Sequence, residues 1–286
     1  MRFTKMQGCG NDYIYVDGSR EKIKDKPELA RTISDRHFGV GGDGVIFINP
    51  SDKADFEMEM YNADGSRGKM CGNGIRCVAK YVYDKGLTDK NRFTVESFGA
   101  VKTLVLITEN GKVDKVSVDM GEPVLEAVKV PVLTEKTLGT ADEKGRLIDV
   151  PISVSGEEVH ITAVSMGNPH AVVYADDPHK IDIEKVGPDY EHHPAFPEGV
   201  NTEFIKVIDR NTLDMRVWER GSGETLACGT GACAYVVASV LNGKTERYVT
   251  VHLLGGDLLI EWNEADDHVY MTGPAVTVFE GEIEWD

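Results

Sequence analysis

The feature that most constrains this chain of 286 residues is an internal repeat. The segment Cys71-Gly72-Asn73-Gly74 recurs as Cys228-Gly229-Thr230-Gly231, and the positions 71 and 228 differ by 157. The same offset of 157 carries Gly10-Asn11 onto Gly167-Asn168, Gly42 onto Gly199, Phe47-Ile48 onto Phe204-Ile205, Met58 onto Met215, Tyr61 onto Trp218 and Asn62 onto Glu219. Separated blocks that share one ungapped offset imply duplication. The chain should hold two similar halves, each with strand, glycine-rich turn and helix in the same order.

Local patterns agree. Residues 13–17, 45–49 and the alternating run 56–61 read as strands, and 27–36 as a helix ending near Gly39. After the turn Asn62-Ala63-Asp64-Gly65-Ser66, residues 74–85 read as a helix closed by Gly86. The second half repeats this with strands over 204–209 and 214–218 and a helix over 231–241, and Asn110-Gly111 marks a hairpin joining 101–109 to 113–120. The expected fold is α/β (α+β mixed sheets): two similar domains related by pseudo-twofold symmetry, divided near Gly121 into 1–121 and 122–276. No low-complexity linker separates them, so a broad contact with an active-site cleft between them is expected.

Charge narrows the partners. A formal net charge of -17 repels polyphosphate and anionic lipid, so neither nucleic acid nor a membrane surface is expected as a partner. No apolar stretch is long enough to span a bilayer, and the N-terminus lacks a signal core, which points to a cytoplasmic location. Five cysteines, an odd number, are expected to be free and reduced.

Two of those cysteines carry the chemistry. Cys71 and Cys228 each open an expected helix after a glycine-bearing loop, where unpaired N–H groups and the helix dipole favour an anion and should lower a thiol pKa. The bare amides of Gly72-Asn73-Gly74 and Gly229-Thr230-Gly231 suit a carboxylate. Inverting a stereocentre takes a proton from one face and returns one to the other. Two thiols at equivalent positions of a duplicated fold are therefore the simplest apparatus for a cofactor-independent amino-acid racemase or epimerase. Such a carboxylate grip would also stabilise the charge that develops as the α-proton leaves.

Other features read more plainly. Cys77 and Cys233 fall inside the helices as core; Cys9 is undecided. The spacings C-x5-C and C-x4-C lack the close pairs of a zinc site, so no metal is expected. Gly39 to Gly44 matches G-x-G-x-x-G, but the loop follows a helix and opens a strand, so no nicotinamide cofactor is expected either. His192-His193 look like surface residues, whereas His170 sits in a repeat block. For Glu219-Arg220 a surface ion pair is the default reading. Their counterpart Asn62 opens the turn to Cys71, which favours a site-facing role, with Arg220 able to grip a second carboxylate.

Together these residues resemble the diaminopimelate epimerase family. The run 62–66, then Cys71-Gly72-Asn73-Gly74-Ile75-Arg76, is similar to the signature around that family's first catalytic cysteine. Asn11, Gly167-Asn168-Pro169-His170, Glu219-Arg220 and Cys228-Gly229-Thr230-Gly231 match the rest nearly end to end. The resemblance implies interconversion of LL- and meso-2,6-diaminopimelate without pyridoxal phosphate or metal, on the route to lysine and peptidoglycan. It implies that residues 277–286 return to the first domain, and that the protein forms a homodimer. It implies Cys71 and Cys228 as catalytic, Gly72, Asn73, Gly229 and Thr230 at the reacting end, Asn11, Asn62, Asn168, Asn201 and Arg220 on the rest of the substrate, and His170 and Glu219 tuning the thiols. One departure stands out: where some members carry glutamine, this chain has Gly44.

The alternative is a two-cysteine racemase acting on another amino acid, such as histidine or proline; Arg220 and Asn201, which suit a distal amino-acid head group, favour diaminopimelate. A thiol redox or metal-binding protein is the rival from another class. Under mild oxidation Cys71 and Cys228 are expected to join as a disulfide.

Overall fold

The computed structural model describes residues 1–285, and the chain divides into two compact units. The first is Met1–Asp119 together with the C-terminal stretch from Thr272; the second is Met120–Met271. Among the described residues no helix is long and apolar enough to cross a membrane.

The first unit contains β1 (Arg2–Gly8), β2 (Asn11–Asp17), α1 (Lys26–Ile33), β3 (Gly44–Asn49), β4 (Phe56–Asn62), α2 (Gly72–Asp84), β5 (Arg92–Ser97), β6 (Ala100–Glu109) and β7 (Lys112–Gly121). The last strand of the chain, β17 (Val276–Glu282), pairs antiparallel with β1. From there the sheet runs β1, β2, β3, β4, β5, β6, β7, with β2–β3 and β4–β5 parallel and the others antiparallel. Both faces of β2 and β3 are covered, which is why they read as unbroken apolar runs. Ile14, Val16, Val45 and Phe47 pack with Leu29, Ala30 and Ile33 of α1. The opposite face meets α2: the Tyr15 hydroxyl donates to the Gly74 carbonyl at 3.2 Å.

Helix α1 ends at Ile33, three residues short of the expectation. Its end is set by side chains the periodicity does not report. Asp35 Oδ1 accepts from the N–H groups of His37 and Phe38 at 2.7 and 2.8 Å, and the N–H groups of Val40 and Gly41 turn back to the Ile33 carbonyl. Helix α2 begins two residues earlier than expected, because Cys71 itself is the N-cap.

Below the α1 loop, Asp12 is held by Lys5 at 2.5 Å and Arg36 at 2.7 Å. Burial raises its pKa, but these two cations outweigh burial and hold the carboxyl below the usual aspartate range. Its stabilising contribution is complete above the ~3.9 of an unfolded aspartate and is lost as pH falls through the lower folded value. Asp12→Asn should therefore lower stability at neutral pH and flatten the acid limb below about pH 4. Urea unfolding at pH 7 and pH 3 checks this; an unchanged slope between the two would refute it.

The second unit contains β8 (Val150–Val154), β9 (Glu157–Ser165), β10 (Pro169–Tyr174), α3 (Ile183–Glu191), β11 (Asn201–Asp209), β12 (Thr212–Glu219), the short β13 (Gly223–Glu224), α4 (Gly229–Leu241), β14 (Tyr248–Leu253), β15 (Gly256–Trp262) and the first half of β16 (Val269–Pro274). The order β9, β10, β11, β12, β14, β15 repeats the pairing pattern of the first unit, with β10–β11 and β12–β14 parallel. The offset of 157 maps Gly72–Asp84 onto Gly229–Leu241 residue for residue. One face of β10 and β11 packs Ala171, Val173 and Phe204 into the unit's core with Ile183, Tyr190 and Trp218. The other faces α4.

Candidate active site

Cys71 has an extended backbone and caps α2, its sulfur accepting the Gly74 N–H at 3.2 Å. Its thiol donates to Asn11 Oδ1 at 3.0 Å. Asn11 is oriented by Asp43, whose Oδ2 accepts from Asn11 Nδ2 at 2.6 Å. The buried guanidinium of Arg76 pins the first turn, donating to Asn73 Oδ1 at 2.9 Å and the Gly72 carbonyl at 3.3 Å, and reaching Cys9 Sγ at 3.6 Å. Asn62, at the end of β4, donates to Ser66 Oγ at 2.9 Å and closes the turn that leads to Cys71. Thus Asn11, Asp43, Gly72, Asn73 and Asn62 stand on elements that meet at one edge of the first unit.

Cys228 caps α4 in the same way, accepting the Gly231 N–H at 3.4 Å, with Thr230 Oγ1 at 3.5 Å. It is more enclosed than Cys71: it is buried, whereas Cys71 is partly exposed. Beneath it His170, which the sequence singles out, pairs with Glu203, which it does not. His170 Nδ1 is 2.6 Å from Glu203 Oε1, and both side chains are fully buried. His170 Nε2 is 3.0 Å from Asn168 Oδ1. Gly231 is bare because a Cβ there would lie 2.6 Å from Glu203 Oε1. Glu203 Oε2 has no hydrogen-bond partner among the described residues, a cost of about 1–3 kcal/mol that a structural role alone does not explain. A signal existed in the sequence: the offset sets Glu203 on Ile46, a charge inside an otherwise apolar strand.

The remaining residues are braced by backbone. Asn201 is buried, its Nδ2 donating to the Pro169 carbonyl at 2.8 Å and its Oδ1 accepting the Arg220 N–H at 3.0 Å. Arg220 Nη1 donates to the Glu198 carbonyl at 2.8 Å. Glu219 accepts from the Thr225 hydroxyl at 2.5 Å, so the default surface ion pair with Arg220 is not what forms. Glu191 holds this corner from below, receiving Trp218 Nε1 at 2.7 Å and the Gly221 N–H at 2.9 Å.

Two further expectations are corrected. The helix start was expected to lower both thiol pKa values, yet Cys228 is pushed well above the ordinary range, first by burial and then by the Glu219 and Glu203 carboxylates. One N–H at 3.4 Å does not offset lost solvation and two nearby negative charges. Alkylation of Cys228 by iodoacetamide should therefore be slow at pH 7 and rise steeply above pH 9; peptide mapping of the labelled enzyme checks this, and rapid labelling at pH 7 would contradict it. His193, expected at the surface beside His192, is buried: Nε2 reaches the Ser153 carbonyl at 3.0 Å and Nδ1 accepts the Ala195 N–H at 3.1 Å. All five cysteines are free, and burial lifts Cys77 to about 11. Among the described residues no three His, Cys, Asp or Glu side chains gather as a metal ligand set.

A profile of the diaminopimelate epimerase family matches residues 3–126 and 162–278. The chain belongs to the diaminopimelate epimerase family. The diaminopimelate epimerase of Acetivibrio thermocellus is 56% identical over 99% of both chains, and that of Methanococcus maripaludis is 56% identical over 99% of this chain and 100% of its own. The enzyme is thus an amino-acid epimerase of lysine biosynthesis with diaminopimelate as its substrate. Among solved structures, the Bacillus anthracis phenazine biosynthesis protein of the PhzF family aligns with a TM-score of 0.71 at 15% identity, covering 100% of this chain and 99% of that one. A probable proline racemase from Agrobacterium radiobacter aligns at 0.70 with 14% identity, covering 100% and 93%. At such identities the likeness establishes the fold of two similar domains, not the substrate.

Proposed function

We propose that Cys71 and Cys228 are the two acid/base groups of this epimerase, interconverting LL- and meso-2,6-diaminopimelate. The observation that carries this reading is the repeat: each thiol is the N-cap of a helix at the same position of its own unit, accepting the N–H three residues on. One sulfur, as thiolate, takes the α-proton. The electron pair of the broken C–H bond moves into the carboxylate, and the other sulfur, as thiol, returns a proton to the opposite face. Gly72, Asn73, Gly229 and Thr230 supply the N–H groups that hold the doubly charged carboxylate, where preorganised donors act most strongly. Asn11, Asn62, Asn168, Asn201 and Arg220 receive the rest of the substrate, Asn201 chiefly by fixing the Arg220 backbone. His170 and Glu219 set the charge around Cys228.

No cofactor enters this scheme. The acidic surface suits a small-molecule enzyme of the cytoplasm, working as a homodimer, without nucleic-acid or membrane partners. The test is incubation of the reduced enzyme with LL-diaminopimelate in D2O without added cofactor, followed by proton NMR and chiral chromatography. The meso isomer with deuterium at one α-carbon is expected. Turnover without deuterium entry would refute the proton-transfer scheme, and inactivity on diaminopimelate alongside turnover of proline or histidine would favour the other racemases.

A further inference from the structure

We propose that Glu203 is a positioning residue of this enzyme: acting through His170, it fixes which end of the Asn168 amide is offered to the substrate. This rests on Asn168 being a substrate contact, as proposed above.

The two units solve one problem in opposite ways. In the first, Asp43 holds Asn11 by its nitrogen at 2.6 Å. A carboxylate only accepts, so Asn11 must present Oδ1, and it presents it to the Cys71 thiol. In the second unit the offset of 157 places Val200 on Asp43, and a buried valine cannot hold an amide. Asn168 is instead held by its oxygen, from His170 Nε2 at 3.0 Å, and its Nδ2 donors remain for a ligand. One asparagine therefore offers an acceptor and its repeat partner a donor. That difference fits a substrate head group with an ammonium and a carboxylate.

The inversion requires a proton on His170 Nε2, and an imidazole does not decide this alone. Its tautomer follows from what the other nitrogen meets. In the first unit the positions of His170 and Glu203 hold Tyr13 and Ile46, which impose nothing of the kind. Here Nδ1 meets Glu203 Oε1 at 2.6 Å with both side chains fully buried. One proton lies between Nδ1 and Oε1 and a second sits on Nε2. The pair is then neutral overall whether it is imidazolium with carboxylate or imidazole with carboxylic acid, which is the form burial tolerates. Burial pushes the Glu203 carboxyl up, and the Glu219 carboxylate on β12 adds to that. Losing one of the two protons would bare Nε2 and force the Asn168 amide to turn over. Gly231 completes the arrangement by leaving room for the carboxyl under the first turn of α4.

The test uses the full-length enzyme labelled with 15N-histidine, with Glu203→Gln, Glu203→Ile and Asn168→Ala compared with the wild type. Glutamine donates to Nδ1 as a carboxylic acid does, so Glu203→Gln should keep the Nε2–H signal of His170 and a KM within about threefold. Isoleucine, the residue of the first unit, removes that donor. Glu203→Ile should shift His170 to mixed tautomers and raise KM for diaminopimelate about tenfold, the worth of one good hydrogen bond, with a smaller loss in kcat. Combining Glu203→Ile with Asn168→Ala should raise KM no further than Asn168→Ala alone. An unchanged His170 signal and KM in Glu203→Ile would overturn the proposal, as would Glu203→Gln behaving like Glu203→Ile. If Asn168→Ala leaves KM unchanged, the reading of Asn168 as a substrate contact fails instead, and the histidine spectra still decide what Glu203 does to His170.

Discussion

Cys71→Ser and Cys228→Ser are each expected to lose about 10²–10⁴-fold in kcat/KM on diaminopimelate, the range that a positioned acid or base contributes, while unfolding within a few degrees of the wild type. Serine separates chemistry from structure. Its oxygen can still accept the N–H of Gly74 or Gly231, so the helix cap survives, whereas alanine would remove that acceptor at a cost of about 1 kcal/mol. A hydroxyl is far too weak an acid to exchange roles with a thiolate near neutral pH. The proposed scheme has the two sulfurs acting on one carbon in one event, so the double Cys71→Ser, Cys228→Ser variant should be scarcely slower than either single variant, as groups that act as a unit are not additive. Chiral chromatography and thermal unfolding on the same preparations decide the matter. A single variant that keeps more than a tenth of the activity would end the two-thiol scheme.

How far the site could be read from the chain depends on the kind of information each residue carries. Repetition was legible: the offset that joins Cys71 to Cys228 also joins α2 to α4 and β2, β3 and β4 to β10, β11 and β12, because a duplicated scaffold keeps its spacing wherever loops have not changed length. Glycine-bearing helix starts were legible for the same reason. What escaped was polarity inside the apolar strands. Glu203 lies in the run Asn201–Ile205, buried on both faces, and propensity treats it as noise unless it is compared with Ile46. The Cys228 thiol escaped too: the effect of a helix start is local, whereas the opposing shift comes first from burial, which the residues around Cys228 do not report, and then from the Glu219 and Glu203 carboxylates. The end of α1 was misplaced because Asp35 takes over the hydrogen bonding from the helix. His193 escaped because its partner is Ser153, forty residues away in the chain.

Gly44→Ala should be among the most damaging substitutions in the first unit, and the reason bears on how the substrate is held. A Cβ at Gly44 would lie 2.0 Å from the Tyr61 carbonyl oxygen, and its φ of +156° is one that side-chain-bearing residues rarely adopt. The obstacle is backbone in the β3–β4 pairing, where Gly44 is opposite Asn62, so no rotamer change relieves it. We expect a loss of about 3 kcal/mol, combining overpacking with backbone strain, and a midpoint lowered by roughly 10 °C. Gly231→Ala is milder by the same logic, since its added Cβ meets the end of the Glu203 side chain at 2.6 Å and that carboxyl can shift. Gly44→Gln should therefore be no more stable than Gly44→Ala and should not improve KM. In this chain the strand approaches Tyr61 too closely for any side chain to project there. The equivalent position in the second unit is held by Asn201, whose amide bridges the Pro169 carbonyl and the Arg220 N–H, so a side chain fits one copy of the repeat and not the other. Thermal unfolding and KM measured on both variants test this; a Gly44→Gln enzyme as stable as the wild type would show that β3 can retreat from Tyr61, and that glycine at this position reflects the choice of side chain rather than a backbone too crowded to carry one.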